Sequence, residues 1–151
     1  MPRRFRCARL AAAVLLAVAF AGCAKNWPIN EQVDGTAKLD GEPLAGVLVE
    51  FIPDVDKKVQ APISRATTDD KGHFVLMLPT EKPGAVIGKH NVVVHAGRAE
   101  GGEAAGKKAA VVPMIYSTAA KSPLKGIEVT ADKHTYDLAL TVKGAATEAP
   151  R

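Results

Sequence analysis

Between residues 32 and 142 the apolar residues recur at every second position in short runs, and turn-forming residues close each run. Val33, Ala37 and Leu39 fall in one phase around Gly35, and Val47, Val49 and Phe51 fall in another. A period of two puts alternate side chains on one face of a strand, whereas a helix needs apolar residues three and four apart. No stretch of this region keeps the helical spacing over three turns, so an all-β fold is expected. Asp40-Gly41 and Asp69-Asp70-Lys71-Gly72 supply residues that tolerate positive φ or close tight turns, which predicts hairpins at both places. Residues 63–68 and 73–78 would be the strands of the second. Residues 88–96 hold the run Val92-Val93-Val94, which fits a central strand covered on both faces. Residues 126–130 and 134–142 are expected to make a last hairpin around Ala131-Asp132-Lys133. About seven short strands separated by turns indicate a β-sandwich.

The N-terminus follows a different rule. Arg3, Arg4, Arg6 and Arg9 precede an unbroken apolar run over residues 10–20, and Ala21, Gly22 and Cys23 come next. Eleven apolar residues fall short of the roughly 20 that a spanning helix needs. A positive start, a short apolar core and a small-residue site is the pattern of an export signal. Phe20-Ala21-Gly22-Cys23 resembles the lipobox of bacterial lipoproteins, with Phe20 where Leu is usual. The resemblance implies cleavage between Gly22 and Cys23, lipidation of the Cys23 thiol, and attachment to a membrane outside the cytoplasm, at the cell envelope. The chain then divides into a signal peptide (1–22), a lipidated tether (23–30), a β-sandwich domain (31–143) and a flexible tail (144–151).

Removal of the signal changes the charge. The full chain has 20 Lys+Arg and 16 Asp+Glu, and the signal takes four arginines and no acid with it. The near-neutral remainder lacks the basic surplus that nucleic-acid binding requires, so no nucleic-acid partner is expected. Cys7 also leaves with the signal, so no disulfide is available and a hydrophobic core must hold the fold. Residues 97–110 are rich in Gly, Ala and charge with no apolar period, and are expected to form a long loop.

Longer stretches carry a second resemblance. Gly35-Thr-Ala-Lys-Leu-Asp-Gly-Glu-Pro-Leu-Ala-Gly46, with Val47-Leu-Val-Glu-Phe51 after it, resembles the opening of carboxypeptidase regulatory-like domains of the transthyretin-like (prealbumin-like) β-sandwich group. Thr67-Thr-Asp-Asp-Lys-Gly-His-Phe74 is similar to that family's second hairpin, and Gly84-Ala-Val-Ile-Gly88-Lys-His90-Asn-Val92-Val-Val94 to its following strand. Val112-Pro113 through Tyr116, then Ser122-Pro123-Leu124, looks like the closing portion of the lipoprotein subgroup. Together these cover roughly residues 33–140. They consist of turn glycines and core residues, so the resemblance implies a fold and no particular activity.

The residues that carry chemistry are scattered. His90 and His95 have opposite parity on one strand and face opposite sides, so they cannot jointly hold a metal. His73 and His134 each begin a strand, and no HExxH pattern occurs. All four read as surface histidines or satisfied core histidines. Asp54 and Asp56 alternate as calcium ligands do, but Lys57 and Lys58 follow at once, and Asp69-Asp70 fits turn chemistry better. Ser64, Ser117 and Ser122 lie in no G-x-S-x-G elbow. The chain closes Ala149-Pro150-Arg151, without the Tyr-Arg-Gly-Ser end of the transthyretin-like hydrolase branch that acts on 5-hydroxyisourate. No catalytic residue, metal or cofactor is expected, and the chain reads as no enzyme. Among the aromatic residues, Phe51, Phe74 and Tyr136 fall on inward positions, which leaves Trp27 and Tyr116 as ligand-binding candidates. The expected role is a non-enzymatic, lipid-anchored interaction or structural module, held to a membrane by its lipid and meeting an envelope protein partner. The alternative is a lipoprotein that binds a small ligand or glycan.

Overall fold

The computed structural model describes residues 27–56, 60–97 and 111–143, with the backbone of Thr147–Glu148. Gly22, Cys23 and most of the 97–110 segment lie outside these residues. The elements in chain order are β1 (Ile29–Asn30), β2 (Asp34–Leu39), β3 (Glu42–Pro43), β4 (Leu48–Pro53), β5 (Ser64–Thr67), β6 (His73–Val75), β7 (Ala85–Val86), β8 (Gly88–His95), a 3-10 turn η1 (Met114–Ser117), β9 (Lys125–Val129), β10 (Leu138–Leu140) and β11 (Thr147–Glu148). The fold is all-β, as the period-two alternation requires.

Two larger sheets enclose the core. One has the order β5-β4-β8-β9 and is antiparallel throughout. The other runs β11-β10-β2-β3, with β6 also paired to β2 and with β10 parallel to β2. A small third sheet joins β1 to β7. Val49, Phe51, Val92, Val94, Ile127 and Val129 of the first sheet meet Ala37, Phe74, Leu138 and Leu140 of the second. The Phe51 ring lies 6.3 Å from Phe74 and 6.1 Å from Tyr136, the latter edge-on, at separations where aromatic quadrupoles attract. β8 is internal to its sheet, and Val92, Val93 and Val94 are all buried, so both of its faces are covered.

The turns form as expected, but two of them do not make hairpins. Asp40 (φ 49°) and Gly41 (φ 90°) close a two-residue connection between β2 and β3. Asp69 Oδ1 accepts from the amides of Lys71 (2.8 Å) and His73 (2.9 Å), yet β5 then belongs to one sheet and β6 to the other. Arg65 and Met77 rejoin the two sheets through a pair of backbone bonds at 2.9 and 2.8 Å. The expected last hairpin is also corrected: β9 pairs with β8 and β10 pairs with β2. Side chains hold this crossing. Asn30 Nδ2 donates to the carbonyls of Thr130 (2.7 Å) and Lys133 (2.9 Å). The Tyr136 hydroxyl donates to Lys133 O and accepts from Thr130 N–H. Backbone groups that a hairpin would pair are thus satisfied by side chains, and the chain is free to change sheets.

Residues on both sides of the expected domain are paired with its strands. The Ile87 amide donates to Pro28 O at 2.8 Å, β1 pairs with β7, and Asn30 is buried, so residues 28–30 are held against the sheets. Thr147–Glu148 of the expected tail pair with β10. Gly35 has a packing role that its strand position alone did not reveal. A Cβ there would collide with the Tyr136 carbonyl and the Phe74 ring, so only glycine lets this part of β2 approach the crossing segment.

Candidate functional site

The four histidines occupy four separate places. His90 shares the inward face of β8 with Val92 and Val94, and its ring centroid stands 5.8 Å from Phe51. Its Nδ1 donates to Gly88 O at 3.0 Å, while Nε2 meets no partner among the described residues. Burial pushes its pKa down, and the bond to Gly88 opposes that only in part. His95 lies on the outer face, with Nε2 3.2 Å from Glu50 Oε2. The other Glu50 oxygen is 2.6 Å from Arg65 Nε, across the β4–β5 pair. His73 stands 3.6 Å from Asp34, and His134 Nδ1 is 3.1 Å from Gln32 O. Parity placed His90 and His95 on opposite faces correctly. It did not anticipate that His90 would be buried with one ring nitrogen unpaired.

Some of the acids are engaged within the protein. The amides of His73 and Lys71 hold the Asp69 carboxyl below the usual carboxylate range. Thr36 Oγ1 donates to Asp137 at 2.6 Å. Among the described residues no group of three or more His, Cys, Asp or Glu converges as a metal site would.

The two aromatic candidates fare differently. Trp27 is half-buried at the N-terminal edge, next to β1. Tyr116 does not offer a ring to a ligand, which corrects the expectation for it. The η1 turn directs it into the core, where it is fully buried. Its hydroxyl accepts from Thr141 N–H at 3.0 Å and lies 3.3 Å from Thr141 O, with its polar end satisfied by the strand exit after β10. Phe51, Phe74 and Tyr136 are buried as their positions predicted. A stacking platform for sugars therefore loses one of its two candidates.

Apolar side chains are exposed at several places among the described residues, Val75 and Met77 on and after β6 among them. A shallow cleft of about 480 Å³ opens beside the exit of β4, with Ile52, Pro53, Val55, Ile63 and Pro79 on its walls and Arg65 at its side. Around η1 and after β10, Val111 is 82%, Met114 84% and Val142 65% exposed, and Ile115 is partly exposed. The Tyr116–Thr141 bonds tie the η1 side of this patch to the Val142 side. The outer edge of β9 is less inviting. Lys125 and Glu128 are exposed on it, and Gly126 (φ 69°) is an extra residue opposite the His90–Asn91 step, a bulge that interrupts a template for strand addition. Comparison with known families, curated proteins and solved structures finds no match to this chain.

Proposed function

We propose that this chain is a bacterial lipoprotein, acylated on Cys23 after removal of residues 1–22, whose transthyretin-like β-sandwich is a non-enzymatic module for binding a protein at the cell envelope. The anchoring half of this reading is supported by Arg3 to Arg9, the short apolar run and the Phe20-Ala21-Gly22-Cys23 sequence. The interaction half is carried by one observation: Val111, Met114 and Val142 are large apolar side chains left largely in water, and the Tyr116–Thr141 bonds tie the η1 turn that holds Met114 to the strand exit just before Val142. A single apolar side chain at the surface needs no explanation, but side chains this large and this exposed are what a contact surface supplies, and methionine adapts readily to a partner.

The test is co-purification from detergent-solubilised envelopes, comparing the natural chain with a Met114→Glu, Val142→Glu double variant. Both positions are exposed, so the variant is expected to fold. A partner recovered with the natural chain and lost from the variant is the expected result. Equal recovery from both would remove the patch, and with it the basis for this function. Mass spectrometry of the mature N-terminal peptide checks the anchor separately. An unmodified Cys23, or cleavage elsewhere, would overturn the lipoprotein reading.

A further inference from the structure

The distance between Cys23 and the first fixed part of the domain is short. Pro28 is already held through its carbonyl by the Ile87 amide, five residues after Cys23. Five extended residues reach at most about 18 Å. The headgroup layer on one side of a bilayer occupies about 5–8 Å of that. The eight residues of β8 alone run about 27 Å, longer than the tether can stretch.

The two ends of β8 differ in what surrounds them. Its Gly88 end lies beside β7 and β1, and so beside the N-terminus. Gly84 sits against the Asn30 carbonyl, which places the 78–83 turn at the same end. Asn30 bonds to Thr130 and Lys133, which places residues 130–134 there too. The His95 end leads to Gly97, packed against Gly46, and β10 exits on that side beside the Asp40-Gly41 turn. Val142 is at this far end, where its amide reaches Asp40 Oδ2.

We propose, resting on the lipid-anchor reading, that the end of the domain formed by β1, the 78–83 turn and residues 130–134 lies on the lipid headgroup surface. The Val111, Met114 and Val142 end then points away from the membrane. The near end has the chemistry of an interfacial contact. Trp27 is half-buried and Ile29 partly exposed, and aromatic residues settle at the headgroup level. Its charge is mixed, with Glu31, Glu81 and Asp132 beside Lys82 and Lys133, so the short tether and not attraction to anionic lipid sets the orientation.

The mature chain has no thiol besides Cys23, so single cysteines can be labelled cleanly. The lipidated full-length protein is reconstituted in phosphatidylcholine vesicles, with and without phosphatidylglycerol. Lys82→Cys and Asp132→Cys report on the near end, and Met114→Cys and Val142→Cys on the far end. Each carries a fluorophore, and a headgroup-spin-labelled lipid is the quencher. Labels at 82 and 132 should be quenched several-fold more strongly than those at 114 and 142, in both lipid mixtures. Equal or reversed quenching in protein shown by mass spectrometry to be acylated on Cys23 overturns the orientation and leaves the anchor standing. Absence of acylation overturns both. Preferential quenching only with phosphatidylglycerol would assign the contact to charge and overturn the tether as its cause.

Discussion

His90 shows how one residue in an otherwise apolar strand imposes a pH limit on the fold. Nδ1 donates to the Gly88 carbonyl, which assigns the neutral ring its Nδ1–H tautomer and leaves Nε2 as a bare acceptor in the core. Protonation would create an N–H donor and a charge there, beside Phe51, with nothing to accept either. Desolvation therefore lowers the folded-state pKa below the unfolded value of about 6.5. The unfolded chain then takes up the proton first. Stability is fully present above about pH 6.5 and declines as pH falls from there towards the lowered folded value. Denaturant midpoints measured at about pH 7.5 and 5.5 should show this loss, and His90→Leu should shrink the difference between the two. An unchanged difference in His90→Leu would assign the acid sensitivity to other groups.

Among the elements, β8 makes the sharpest prediction. Val92, Val93 and Val94 are each buried, while Asn91 is only partly so. Each Val→Ala change removes packed volume that neighbours cannot refill, at a cost of about 1–3 kcal/mol, whereas Asn91→Ala should cost well under half of that. Equal losses at all four positions in chemical denaturation would contradict the burial of both faces. This strand was legible in the sequence because three consecutive valines have few other uses, and parity alone set His90 and His95 on opposite faces without saying which of them would be buried. The phases of β2 and β4 were legible for the same reason. The pairing of β9 and β10 was not. The signal at Ala131-Asp132-Lys133 specifies that the chain turns, and it carries no information on whether the next strand returns to the same sheet. That choice is made by Asn30 and Tyr136, and Asn30 is about a hundred residues away in sequence. Two-residue pairings such as β1 with β7 are too short to show any period. Tyr116 was misread because η1 lies in a stretch without alternation, where nothing local distinguishes a core anchor from an exposed ring.

For the molecule as a whole, the source of stability can be located. No cysteine lies among the described residues, so their cohesion comes from the core shared by the two larger sheets and from the side chains that pin the crossings between them. Several carboxylates already have protein partners: Asp69 with two amides, Asp137 with Thr36, Glu50 with Arg65 and His95, Asp34 with His73. The histidines stand on separate surfaces or inside. Recruiting these groups to an ion would cost the contacts that now hold turns and strand pairs together. The purified protein should therefore keep its thermal midpoint, within error, when chelator is added at neutral pH. The measurement has ample range. An ion that bound only the folded form would add about 4 kcal/mol at a thousandfold excess over its dissociation constant. At about 4 °C per kcal/mol for a domain of this size, its removal would lower the midpoint by roughly 15 °C. A fall of that order, recovered by calcium, would place oxygen ligands at Asp54 and Asp56. Recovery by zinc would instead show that two of the exposed histidines come together in a conformation other than the one described.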